Sequence, residues 1–95
     1  LETKVNSIGE KPSPAEKTYV DRYTEVAALQ IIAFEGYASA NKDSQSATRA
    51  AMLMVDLEKR PWFAEAPPQW LRRLSELTQS SPEFRENCAK FRKGK

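Results

Sequence analysis

The sequence contains no histidine, and this absence excludes several kinds of active site. Ser–His and Cys–His nucleophiles, histidine general bases and the usual histidine ligands of zinc all require an imidazole group. Carboxylate pairs remain, such as Asp21 and Glu25 one helical turn apart, but such pairs are common on the solvated faces of helices. We therefore predict that the chain is not an enzyme and that it has no catalytic or metal-binding residues.

Cysteine and glycine are scarce as well. The single cysteine, Cys88, has no partner for a disulfide within the chain or for a Cys-x-x-Cys metal site. The three glycines, Gly9, Gly36 and Gly94, are isolated from one another. Without a glycine-rich loop to cradle phosphates, the sequence predicts no nucleotide cofactor, and we expect no bound cofactor of any kind.

Long apolar runs are also missing. The longest, Val26 to Phe34, is interrupted by Gln30, and it reaches about half of the roughly 20 residues that a membrane-spanning helix needs. We therefore predict no membrane span, and the cellular location stays open.

What the sequence does contain is typical of one globular domain. It has 95 residues, of which 40% are hydrophobic and 29% charged, and a chain of this size builds an ordinary core. Residues 1–43 carry five basic and seven acidic side chains, while residues 44–95 carry ten and six, giving net charges of −2 and +4. Residues 1–12 show no apolar period, so we predict a flexible N-terminal arm followed by a single helical domain over residues 13–95.

The first helix of this domain has a strong start signal. Ser13 can cap it, Pro14 suits the first helical position, and Glu16 completes a capping box. Apolar residues at spacings of three and four continue to Ala40. Because Gln30 is the only polar residue between Val26 and Phe34, we predict that this part is surrounded by other elements.

Three further helices are predicted. The second covers about Ser44–Lys59 and ends before Pro61, the third covers about Pro68–Thr78, and the fourth about Pro82–Phe91. The result is an all-α fold: a small four-helix bundle with two long central helices, paired antiparallel, and two short C-terminal helices.

The unequal lengths of these helices favour association with another molecule. The first helix is predicted to be about 40 Å long and the last two about 15 Å each, so one end of the first helix needs a protein partner or a second copy to cover it. Tyrosine and tryptophan are common interface anchors, and the predicted partner-binding residues are Tyr19, Tyr23, Trp62 and Trp70. We therefore predict a non-enzymatic helical interaction or regulatory module: an adaptor, inhibitor or small subunit.

Nucleic-acid binding by the basic C-terminal helices is the alternative. Lysine and arginine can follow phosphates, and two short helices can form a helix-turn-helix of a transcriptional regulator. Acidic residues lie among these positions, and no glycine marks the turn. The residues predicted for this role are Arg72, Arg73, Arg85, Arg92 and Lys93.

The segment from Trp70 to Arg85, with Trp70-Leu71-Arg72-Arg73-Leu74 and Ser81-Pro82-Glu83, resembles the last part of the ligand-sensing domains of MmyB-like bacterial transcription regulators. The strand-rich region that precedes this part in those domains is not recognisable here, so no ligand residue is carried across and no family is assigned. A small-molecule pocket under Trp62 and Trp70 is a third functional hypothesis.

Overall fold

The computed structural model describes residues 2–93, and within that range the chain is helical, without strands. The predicted all-α class is therefore confirmed. Leu1 of the predicted arm and Gly94 and Lys95 of the predicted domain lie outside the described residues. The helices are α1 (Glu2–Asn6), α2 (Pro14–Asn41), α3 (Ser44–Glu58), α4 (Pro68–Ser80) and α5 (Pro82–Lys93), with a 3-10 turn at Phe63–Glu65.

Local side-chain chemistry fixes both ends of α2. The Ser13 hydroxyl accepts a hydrogen bond from the Glu16 backbone N–H at 3.2 Å, and the Glu16 carboxylate accepts one from the Ser13 N–H at 2.9 Å. At the other end Lys42 adopts a left-handed conformation, φ 53°, and its N–H bonds to the Ala38 carbonyl. The capping box predicted from the sequence is thus confirmed, and α2 runs uninterrupted between these signals.

α2 and α3 form an antiparallel hairpin. Tyr23 near the start of α2 lies beside Asp56 near the end of α3, whereas Phe34 lies beside Arg49, 5.9 Å from its guanidinium. Their contact is the most extensive in the molecule, and alanines at its centre let the two helices approach closely. The buried residues at this contact and around it are Val20, Thr24, Ala27, Ala28, Ile31, Ala47, Ala50, Ala51, Met54, Val55 and Leu57.

The two C-terminal helices complete the core from one side. α5 packs on α3 through the buried side chains of Phe84 and Cys88, and α4 makes smaller contacts with α2 and α5 around Leu74. An ion pair ties the end of α5 to the end of α3, because Arg92 donates to both carboxylate oxygens of Glu58, at 2.9 and 2.8 Å.

The N-terminal segment differs from the sequence prediction. Residues 2–8 are not a free arm: α1 forms there, and Val5 and Ile8 are almost completely buried in the core. The Trp62 indole N–H donates to the Val5 carbonyl at 3.3 Å, and Asn6 accepts a hydrogen bond from Arg60. The prediction of a flexible arm is therefore wrong for these residues, and the described chain has five α-helices rather than four.

Shortening Val5 tests this docking of α1. We expect Val5→Ala to lower the free energy of unfolding by about 1–3 kcal/mol, because it removes buried methyl groups and leaves a cavity. Thr3→Ala, at an exposed position of the same helix, should change stability by less than about 0.5 kcal/mol. Urea unfolding curves measure both, and equal stability of the two variants would contradict the docking.

The hydroxyl group of Thr24 generates a second prediction. Thr24 is fully buried on the inner side of α2, and its Oγ1 has no hydrogen-bond partner among the described residues. Thr24→Val keeps the shape and removes the unpaired hydroxyl, so we expect stability to rise by about 1 kcal/mol. The matched control is Thr48→Val at an exposed position of α3, and a loss of stability in Thr24→Val alone would show that the hydroxyl is paired in solution.

Candidate interaction surface

Two of the predicted partner-binding residues, Tyr23 and Trp62, meet inside the molecule. Their rings pack edge to face with centroids 5.9 Å apart. Arg60 lies over the Tyr23 ring at 4.9 Å and donates to its hydroxyl at 2.8 Å, and it also pairs with Asp56 at 3.1 Å. This cluster joins α2 to the end of α3 and, through Val5, to α1.

The role predicted for Trp62 is therefore wrong in the folded chain. Its side chain is 0% exposed, so no partner can reach it without unfolding. Tyr23 is half-buried, and its hydroxyl is bonded to Arg60 and Asp56. Both aromatic residues stabilise the core at this end of the molecule, as large aromatic side chains commonly do.

Tyr19 and Trp70 lie at the surface but apart from that cluster. Tyr19 is 38% exposed, and the Lys4 ammonium lies 5.8 Å from its ring centroid. Trp70 is half-buried, is covered by Arg73 at 5.4 Å, and lines an open cleft of about 440 Å³ between α2 and the start of α4. The four predicted residues do not form one surface.

Three of the five basic residues predicted for nucleic-acid binding make contacts within the protein. Arg92 is paired with Glu58, and those hydrogen bonds raise the pKa of the Arg92 guanidinium above its ordinary value. Arg85 donates to the Thr78 carbonyl at 3.0 Å, and Arg73 stacks on Trp70.

The remaining two, Arg72 and Lys93, are exposed on α4 and at the end of α5. Exposed acidic residues on the same two helices, Glu76, Glu83 and Glu86, interrupt the positive charge. In addition, Ser81 alone separates α4 from α5, whereas a helix-turn-helix has a turn of about three or four residues. These observations give the nucleic-acid alternative no uniform basic surface.

A different surface stands out on α2, on the side away from α3, and the residues at its N-terminal end, Thr18 and Arg22, border the cleft beside α4. Its residues follow one another at helical spacings of three and four, and all of them are exposed. Four of them are large and apolar or aromatic: Tyr19 and Val26 at 38% exposure, Leu29 at 47% and Tyr37 at 55%. We call this surface the outer face of α2, and it comprises Ala15, Thr18, Tyr19, Arg22, Val26, Leu29, Gln30, Ala33, Gly36, Tyr37 and Ala40.

Charge is almost absent from this outer face. Arg22, near its N-terminal end, is the only charged residue of the outer face, although the ion-paired side chains of Lys17 and Asp21 lie beside that end and are 39% and 48% exposed. α5 provides the comparison, because every exposed residue of that helix except Pro82 is charged. A helix side with few charges and several large exposed side chains is a candidate contact surface.

This surface is not among the sequence predictions, although the sequence contains a signal for it. The segment from Val26 to Phe34 was predicted to be surrounded by other elements, and this prediction is wrong, since Val26 and Leu29 are exposed. A lack of charge shows that a helix side avoids water, but it does not show whether the same chain covers that side. The uncharged positions from Val26 to Ala40 on the opposite side from Ile31 were the available clue.

The described residues were also compared with the requirements of a metal site, a membrane-spanning helix and a reactive thiol. Within residues 2–93 no group of carboxylates and cysteine is arranged to hold a metal ion, and no helix is long and apolar enough to cross a membrane. Cys88 is a free, buried thiol, and burial raises its pKa from 9.0 to about 11. A thiol in this state is a packing residue and a poor nucleophile.

Comparison of the chain with models of protein families, with curated proteins and with solved structures gave no match.

Alkylation of Cys88 should therefore be slow in the folded protein. A rise in pKa from 9.0 to about 11 lowers the thiolate fraction at pH 8 by about a hundredfold, and burial slows the reaction further. We expect iodoacetamide to modify the urea-unfolded chain at least about a hundredfold faster than the folded chain. Mass spectrometry over time measures both rates, and comparable rates would contradict the buried, protonated thiol.

Proposed function

We propose that this chain is a non-enzymatic helical interaction module, an adaptor, inhibitor or small subunit, that binds a protein partner through the outer face of α2. The observation that carries the proposal is the contrast between α2 and α5: the outer face of α2 exposes Val26, Leu29 and Tyr37 and includes one charged residue, Arg22, whereas the exposed residues of α5 are charged except for Pro82. Burial of an exposed apolar surface is the dominant favourable term in protein association.

The rigidity of α2 supports the proposal. The helix is capped at both ends, and its inner side is packed against α3 along most of that shorter helix. At the N-terminal end, Tyr23, Trp62 and Arg60 fix it to the rest of the core. A binding surface on a rigid helix loses little conformational entropy when a partner docks, so more of the contact energy contributes to affinity.

The other classes of function have less support. An enzymatic function has little support, because the sequence has no histidine to act as a general base and the thiol of Cys88 is buried with a raised pKa. For nucleic-acid binding, Arg92 is occupied by Glu58 and acidic residues interrupt the remaining basic positions. A small-molecule pocket under the two tryptophans is disfavoured, because Trp62 is fully buried in the core.

Affinity capture from cell extract tests the proposal with one matched pair of variants. Leu29→Glu places a charge in the centre of the outer face, and Met52→Glu makes the same kind of change on α3, where Met52 is 53% exposed. We expect a specific protein to be captured by the unmodified chain and by Met52→Glu, and to be lost, at least about tenfold, with Leu29→Glu.

Circular dichroism must show equal helix content in all three proteins before the capture is compared. If Leu29→Glu retains every bound protein, the partner does not bind through the outer face of α2, and the proposal is wrong. If Met52→Glu loses the same partners, binding depends on α3 or on overall charge and not on α2.

A further inference from the structure

We infer that α1 is a strap that opens while the rest of the chain stays folded, and that it closes over a second binding site. We call this the concealed site, and it is formed by Tyr23, Arg60 and Trp62. It is separate from the outer face of α2, so the inference goes beyond the proposed function and does not depend on it. In the closed chain α1 occupies the concealed site as an internal ligand.

The attachment of α1 is slight for the length of chain that it orders. Val5 and Ile8 are buried, with exposures of 1% and 3%, whereas the other residues from Thr3 to Lys11 are exposed. A helix of five residues is not stable by itself in water, and every residue that becomes ordered loses conformational entropy. A segment with two buried anchors therefore belongs to the least stable part of a fold, which opens before the core does.

The polar contacts between α1 and the concealed site are of a kind that another peptide can supply. The Trp62 indole N–H donates to the Val5 carbonyl at 3.3 Å, and Arg60 donates to the side-chain carbonyl of Asn6. One acceptor is a backbone carbonyl, which every peptide carries, and the other is a simple carboxamide. After opening, water or a second peptide can accept the same two hydrogen bonds.

The concealed site is held together by contacts that do not involve α1. The rings of Tyr23 and Trp62 pack edge to face with centroids 5.9 Å apart. Arg60 donates to the Tyr23 hydroxyl at 2.8 Å and pairs with Asp56 at 3.1 Å. Because α2 and the end of α3 provide these residues, the site keeps its arrangement when α1 leaves, and a preorganised site binds at a lower entropic cost.

The sequence of α1 and the residues after it defines the ligand. Val5 and Ile8 lie three residues apart, which places them on the same side of one helical turn, and Asn6 lies between them. Arginine pairs more strongly with a carboxylate than with a carboxamide. The ligand that fits the concealed site is therefore a protein segment with two aliphatic residues three apart and Asn or, more favourably, Asp after the first. α1 competes with it and is an autoinhibitory contact.

Hydrogen exchange followed by NMR in the unmodified chain tests the opening of the strap. The Trp62 indole N–H reports on α1, and the backbone N–H of the buried Ile31 reports on the centre of α2. We expect exchange at Trp62 to depend only weakly on low concentrations of urea, because opening of α1 exposes little surface, and exchange at Ile31 to depend strongly on them. An equal dependence on urea would show that α1 leaves only when the whole chain unfolds.

Quenching of tryptophan fluorescence by acrylamide tests what the strap covers. In a Trp70→Phe background Trp62 is the remaining tryptophan. Its quenching should rise several-fold in Val5→Asp and in Ile8→Asp, because a carboxylate is not tolerated in the buried position and undocks α1. Thr3→Asp, at an exposed position of the same helix, is the matched control and should leave quenching unchanged.

All of these variants should still unfold cooperatively in urea, and circular dichroism should show no greater loss of helix than that of α1. Two separate core variants are used so that a defect specific to one does not decide the result. If Val5→Asp and Ile8→Asp both lose the remaining helices, α1 is an integral part of the fold and the strap is excluded. Unchanged quenching in both would show that α1 does not shield Trp62.

A peptide with the sequence of residues 2–10 tests the concealed site as a binding site. Added to the Val5→Asp chain, it should lower the quenching of Trp62 again, and the same peptide carrying Asn6→Asp should do so at a lower concentration. The peptide carrying Val5→Asp is the control and should have no effect. If quenching stays high with the unmodified and the Asn6→Asp peptides, the site beneath the strap binds no such ligand and the inference is overturned.

Discussion

The length of α2 is the constraint on which the rest of the structure depends. Its 28 residues correspond to about 42 Å, and the longest dimension of the molecule is 41 Å. The helices that pack beside it have 15, 13 and 12 residues, so each is about half as long or shorter. These elements cover the inner side of α2 between them, and within residues 2–93 they leave Val26, Leu29 and Tyr37 on its outer face exposed.

The inner side of α2 is closed by contacts between distant parts of the sequence. α3 runs back along α2, and the chain after Pro61 places Trp62 against Tyr23 at the N-terminal end. α1 then covers Trp62, and the Val5 carbonyl accepts the indole N–H that would otherwise be buried without a partner. Tyr23 and Trp62, two of the four residues predicted as interface anchors, therefore hold α1, α2 and the chain after α3 together.

Local signals in the sequence were sufficient to predict the four longer helices. The features that were not predicted depend on contacts between residues far apart in the sequence. Ser13 and Glu16 fix the start of α2 within a few residues, and capping of this kind is readable without a structure. α1 was missed because it offers few apolar side chains, and its partners Arg60 and Trp62 lie more than fifty residues away. The outer face was misread because the apolar run around Leu29 indicates avoidance of water but not which molecule provides the cover.

Hydroxyl-radical footprinting with and without the captured protein partner tests the proposed binding surface most directly. Tyr37 on the outer face of α2 and Met52 on α3 are almost equally exposed, at 55% and 53%, so Met52 serves as an internal reference. We expect the oxidation of Tyr37 to fall several-fold, relative to Met52, when the partner is bound. An unchanged ratio of Tyr37 to Met52 oxidation in the complex would contradict binding through the outer face of α2.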